Sequence, residues 1–265
     1  LRGAVADQGA NGIVDHHAFI DAGAAAVARA AVELNDGRLS GQIPGVLAGQ
    51  HALRFIVPAR QTDGSALLMV VDRDTAGVDV QPRSLLDRSR GAADLLLCSA
   101  QARPLSLAAD APEAISTAAD HAAVLVAADA LGAAERMLEM TVEYAKQRKQ
   151  FGRPIAAFQA VKHAAAQMLV TVESSFSLAL FAAASVQDGG ADARLHAAAA
   201  KAQVTQHCAE LADTALTVHG AIGYTWEYDL QFCYKRAKLD QVLYGSPEAW
   251  NDRIADLLPI TPAAS

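Results

Sequence analysis

Cysteine is scarce: Cys98, Cys208 and Cys233 are the only three in 265 residues. They are odd in number, far apart and without a CxxC pair, which excludes a disulfide framework and a zinc site and points to a reduced cytoplasm. Basic charge is also short, with 22 Lys and Arg against 29 Asp and Glu, for a net charge of -7. The pI is about 5.6. No basic stripe runs against that balance, so nucleic-acid binding is not expected. Long apolar runs are missing too. The stretch from Ala122 to Ala134 is broken by Asp129 and falls short of the roughly 20 residues that span a bilayer, so membrane insertion is not expected either. No signal peptide is recognisable, and the chain begins at Leu1 without a methionine.

What is present describes a globular chain. Hydrophobic residues make up 52% and charged residues 19%, interspersed, over a length that suits one large domain or two smaller ones. From Val32 to about Ala100, short apolar runs such as Ala52–Val57, Ala66–Val71 and Ala93–Cys98 alternate with turn formers. Asp36-Gly37, Asp63-Gly64 and Ala76-Gly77 are such turns, so this part reads as a small antiparallel sheet or open barrel. Pro104 and the Ala108–Pro112 stretch mark a linker.

Beyond Pro112 the periodicity becomes helical, and no strand signal of comparable strength returns. The spacing predicts helices over 114–148, 157–187, 192–218 and 227–242, with a short fifth after Pro247. Gly189-Gly190 closes the second. Short connections between long helices imply antiparallel neighbours and an up-down bundle. The expected class is α+β, mainly α, with a β-domain over 32–110 and a helical domain over 111–265.

Two segments carry the chemistry. The first runs Tyr144-Ala-Lys-Gln-Arg148-Lys-Gln150-Phe151-Gly-Arg-Pro-Ile-Ala-Ala-Phe-Gln159. On spacing alone, Lys146, Arg148 and Lys149 are charges that complement the negative end of a helix. The second is His219-Gly220-Ala221-Ile222-Gly223-Tyr224-Thr225-Trp226-Glu227-Tyr228, which alone reads as a helix C-cap.

Together and in this order, the two strings resemble the YxxxRxQFGxPIxxFQ and QxHGGxGYTxEY signatures of the acyl-CoA dehydrogenase C-terminal domain. The resemblance runs from about Leu34 to Leu258, weakly in the strand-rich part. It implies FAD as cofactor, a CoA thioester as substrate and an electron-transferring flavoprotein as acceptor. It assigns Arg148, Gln150, Phe151, Gln159, Gly220 and Gly223 to flavin binding, with Arg148 and Phe151 reaching across a subunit interface to a neighbour's FAD. A guanidinium suits pyrophosphate because its planar fork grips two oxygens. Glycines suit the loop because main chain can then approach the cofactor closely. By the same resemblance, residues 1–31, with His16 and His17, are expected to be a remnant of the family's N-terminal helical region.

The departures concern the catalytic base. Desaturating a thioester requires a carboxylate to remove the α-proton. Against the family's YEGT-like turn, Tyr244 stands where the glutamate belongs, followed by Gly245 and Ser246. The family's alternative position on the long helix falls on Ala122, flanked by Asp120 and His121. Neither position holds a carboxylate, so no catalytic residue is expected in this chain. Thr217 and Ala221 replace the glutamine and second glycine of the loop signature, and the glycine-rich flavin segment of the middle domain has no match.

The sequence therefore resembles the short, base-lacking subunits of heteromeric (α2β2) bacterial acyl-CoA dehydrogenases of steroid side-chain degradation. That resemblance implies a homologous catalytic partner subunit and a bulky acyl group. Two alternatives stay open: a self-sufficient homo-oligomer with an unrecognised base, and a flavin-free helical interaction protein. Among other polar residues, Asp72 and Asp74 read as turn residues, and Glu227 as a cap of the fourth helix or a partner of Arg236. His196, His207 and Cys208 lie on one helix without converging as metal ligands.

Overall fold

The computed structural model describes residues 32–105 and 111–258; residues 1–31, with His16 and His17, lie outside them. Asp36 and Gly37 both take left-handed backbone, φ 48° and 74°, the turn geometry that an Asp-Gly pair favours between strands. They fold β1 (Val32–Asn35) back onto β2 (Arg38–Leu47). β3 (Arg54–Arg60) and β4 (Ala66–Asp72) form a second antiparallel pair, and β5 (Val78–Arg83) and β6 (Ala92–Gln101) a third. With the short β7 (Arg103–Pro104) they make one seven-stranded sheet, in the order β5-β6-β2-β1-β3-β4-β7.

One pairing departs from the antiparallel expectation. β1 meets β3 in parallel through Glu33 and Arg60, because β2 takes the opposite side of β1 and the chain returns through a 3-10 turn at Gly49–His51. The fully buried face gathers Leu39, Ile43, Val46, Phe55, Val57 and Leu95. β4 is buried on both faces: Met69 and Val71 point into that cluster, while Leu68 and Val70 pack with Leu105, Ala111, Ala114 and Ile115. Each such side chain contributes about 1.5–3 kcal/mol through burial.

The helices are α1 (Ala111–Gln147), α2 (Gln159–Asp188), α3 (Ala193–His219), α4 (Leu230–Val242) and α5 (Pro247–Leu257). Residues up to Ala119 form one compact unit and those from Asp120 a second, so α1 starts in the first unit and continues in the second. In the second unit α3 is the central element and packs against α2, α4 and α5. Gly189, at φ 68°, ends α2 in the left-handed cap that glycine allows. Ser246 caps α5 by accepting from the Ala249 amide, with Pro247 in the first turn.

α1 and α2 each contain an 18-residue window apolar enough to cross a membrane, of mean hydropathy 1.3 and 1.6. Run length read from the sequence understates them, because isolated polar residues interrupt the runs without lowering the average much. The α1 window is 61% buried within the protein, as a core helix is, against 22% for α2. Leu169, Val170, Phe176, Leu180 and Phe181 of α2 are exposed.

Candidate functional site

The first motif closes α1. The Arg148 amide donates to the Tyr144 carbonyl at 2.8 Å, and the chain then forms a hairpin of two short strands, β8 (Lys149–Gln150) and β9 (Arg153–Pro154). This corrects the expectation of helices alone beyond Pro112. The turn is built on Phe151 and Gly152, φ 52° and 78°, a left-handed pair that reverses the chain tightly but disfavours a side chain at the first position. The Ile155 amide closes the loop onto the Arg148 carbonyl at 2.8 Å.

Phe151 is 91% exposed at the hairpin tip. Its ring meets Phe158 edge-on at 6.0 Å, and the Arg153 guanidinium lies 4.3 Å from the Phe158 ring. Arg148 and Gln150 are exposed on the same hairpin, and Gln159, also exposed, begins α2. The Arg148 side chain has no hydrogen bond or ion pair among the described residues. A solvated guanidinium on the same hairpin as a presented aromatic ring suits a flat, anionic ligand.

The second motif ends α3 and opens a 3-10 segment, Gly220–Tyr224. Gly220 takes φ 65° and ψ -142°, with open space where a Cβ would stand. Gly223 is different: a Cβ there would lie 2.9 Å from Leu216 Cδ1 and 3.3 Å from Leu230 Cδ2. The first glycine serves backbone conformation and the second serves packing. Ile222, Tyr224 and Trp226 are exposed along this segment.

The two motifs are joined through His219, which is buried. Its Nδ1 lies 2.7 Å from the Ala215 carbonyl and therefore carries the hydrogen, leaving Nε2 to accept from the Tyr228 hydroxyl at 3.3 Å. The Tyr144 ring stacks on the imidazole at 4.7 Å, with Tyr228 edge-on at 6.3 Å from Tyr144. Burial lowers the His219 pKa, opposed by its hydrogen bonds to backbone, and raises that of Tyr228. Sequence reasoning quoted all three residues and gave none a role, since their meeting joins distant points of the chain.

Tyr244, where the resemblance leads one to expect the family's glutamate, lies just beyond α4. Tyr244 has left-handed backbone, φ 57°, followed by Gly245 at φ 110°. The Trp250 indole Nε1–H donates to the Tyr244 carbonyl at 3.0 Å, and Lys201 Nζ donates to the carbonyls of Gln241 and Gly245 at 3.2 and 3.0 Å. Lys201 and Trp250 bear no recognisable signal in the sequence.

Asp120, beside the alternative base position, is engaged elsewhere. Arg253 Nη2 donates to its Oδ1 at 2.6 Å, and Arg194 Nε lies 3.5 Å from its Oδ2. Glu227 neither caps α4, whose preceding residue is Asp229, nor accompanies Arg236. That guanidinium binds both Asp129 oxygens, at 3.2 and 3.1 Å, because α4 lays it along α1. His196 Nδ1 lies 2.8 Å from the Ser185 hydroxyl, a contact between neighbouring helices. Among the described residues no His, Cys, Asp and Glu cluster could hold a metal.

The model of the acyl-CoA dehydrogenase C-terminal domain matches residues 113–258, and the chain belongs to the acyl-CoA dehydrogenase family. It is 41% identical over 129 residues to the acyl-CoA dehydrogenase IpdE2 of Mycobacterium tuberculosis, across 49% of this chain and 39% of that protein. It is 36% identical over 219 residues to the acyl-CoA dehydrogenase FadE34 of the same organism, across 82% of this chain and 29% of that protein. The chain thus spans well under half the length of these curated relatives. Among solved structures, the ChsE4-ChsE5 complex from Mycobacterium tuberculosis matches with a TM-score of 0.77 and 28% identity, over 88% of this chain and 64% of that one.

Proposed function

We propose that this chain is the base-lacking subunit of an FAD-dependent acyl-CoA dehydrogenase, completing a flavin site beside a homologous subunit that supplies the catalytic glutamate. The observation that carries the reading is the Tyr144–His219 stack, which fastens the arginine hairpin and the glycine loop into one assembly. The family's two flavin signatures thus act as one structural unit.

The residues fit the cofactor. Arg148 is exposed and uncommitted, Phe151 is presented at a hairpin tip, and Gly220 leaves room for main chain to approach. FAD, when bound, supplies the two-electron acceptor for desaturating a CoA thioester. Arg148 would grip pyrophosphate oxygens at two points, Gln150 and Gln159 would offer amides, and Phe151 would shield the contact from water. Proton removal falls to the partner: position 244 holds tyrosine, whose unperturbed pKa is about 10, and Asp120 is bound by Arg253. Likeness to the ChsE4-ChsE5 complex supports a heteromer. A bulky acyl group such as a sterol side chain, an electron-transferring flavoprotein as acceptor and a cytoplasmic setting complete the proposal, the last supported by three unpaired cysteines.

Replacing Arg148 with alanine tests it. Loss of one charge-assisted hydrogen bond, about 1.5–3 kcal/mol, weakens flavin binding roughly 10- to 150-fold while the fold persists. Undiminished flavin in the purified mutant complex would sink the assignment. Turnover by the purified chain alone would return the base to it, and a colourless complex with every homologous partner would favour an interaction protein.

A further inference from the structure

The turn that follows α4 is gripped from two sides. From α3, the fully buried Lys201 ammonium donates to the carbonyls of Gln241 and Gly245, on either side of Tyr244. From α5, the Trp250 indole donates to the carbonyl of Tyr244 itself. Within the turn, the Leu243 amide donates to Leu239 and the Gly245 amide to Val242. A non-glycine residue in left-handed backbone is disfavoured by about 1–2 kcal/mol, so Tyr244 at φ 57° requires such bracing.

Lysine is a costly means of satisfying two carbonyls. Burial lowers its pKa to about 8, opposed by the Asp240 carboxylate of α4. Around this pair stand Ser175 of α2 and Cys208 of α3, the latter pushed up to about 12 by burial and therefore neutral. On the other side of the turn, Arg253 of α5 lies 5.0 Å from the Trp250 ring and pairs with Asp120 of α1, which Arg194 of α3 also approaches. A charge kept in the core at such cost implies a task that apolar packing would not perform.

We propose that Lys201 and Trp250 are positioning residues that lock the Tyr244 turn, so that the side chain at position 244 is held in one orientation. The proposal rests on reading this turn as the counterpart of the family's base-bearing turn. It makes Tyr244 a fixed phenol at the position where the resemblance places a carboxylate, kept in place although the chain supplies no base.

Fluorine NMR of the full chain labelled with fluorotyrosine tests this without flavin or turnover. The Tyr244 signal is assigned by its loss in Tyr244→Phe. Lys201→Met combined with Asp240→Asn removes both buried charges together, and Trp250→Phe removes only the indole donor. Each is expected to shift and broaden the Tyr244 signal while those of Tyr144 and Tyr228, braced by His219, stay in place. A Tyr244 signal unmoved in both variants overturns the clamp, as does movement of all tyrosine signals alike, which would mark general loosening. Either result leaves flavin binding by Arg148 untouched, so the two readings fail separately.

Discussion

Asp120→Asn asks whether the carboxylate beside the family's alternative base position serves chemistry or the fold. The Asp120 and Arg253 side chains retain only 8% and 5% of their exposure and meet at 2.6 Å. Removing one partner of a buried ion pair strands the other charge and costs about 3–5 kcal/mol. Arg194, 36% exposed and 3.5 Å away, adds at most about 1 kcal/mol. Asparagine keeps an oxygen that can accept from Arg253, so the loss should fall near 3 kcal/mol, and alanine near 5. Against a typical total of about 5–15 kcal/mol, either is severe. With an m-value of roughly 2 kcal/mol/M, the urea midpoint should drop by about 1.5–2.5 M. Asp120→Leu with Arg253→Met should recover most of the loss, since apolar replacement of both partners is often neutral or better. An Asp120→Asn chain with an unchanged midpoint and abolished turnover in the assembled enzyme would refute the argument and make Asp120 the base.

Three further outcomes follow from the same geometry. Gly223→Ala must press a methyl against Leu216 and Leu230 and should lose about 1–3 kcal/mol in thermal or chemical melts, so an unchanged melt would show that the loop yields freely. Tyr244→Phe should leave turnover of the assembled enzyme within a few-fold, whereas general-base catalysis is worth about 10²- to 10⁴-fold, and a hundredfold fall with flavin intact would return the base to this chain. Measured against a Lys201→Met reference, stability should rise as pH climbs from about 8 toward 10.5, because there the unfolded chain keeps a proton that folded Lys201 has released; buried Cys208 pulls the other way in both chains, so a flat difference between the two would contradict Lys201 burial. His219, also depressed by burial, should contribute a loss of stability as pH falls below about 6.5, where the unfolded imidazole binds its proton first.

The helices were legible because alanine-rich periodic segments end in local punctuation, as at Gly189 and before Pro247. Helix ends shifted by a residue or a few, as α4 did by starting at Leu230 instead of Glu227. The strands were harder. β2 contains Gly41, Pro44 and Gly45 and shifts register twice against β6, which erases its alternation, and β5 lies at a sheet edge with no fully buried position. The two family motifs were legible as strings, but the Tyr144–His219–Tyr228 contact, the Lys201 bonds to the Gln241 and Gly245 carbonyls and the commitment of Asp120 to Arg253 are long-range. Such contacts leave no mark on local spacing.

The hairpin at Phe151 and Gly152 has a consequence for how this surface can vary. Asparagine or glycine at position 151 would relax the backbone by about 1 kcal/mol and would be the choice if folding alone were at stake. The ring displayed there at 91% exposure gains little from burial within its own chain. On the proposed reading, in which Phe151 meets a neighbour's flavin, position 151 gives up folding stability for recognition, and substitutions that stabilise the hairpin are the ones that should blunt it.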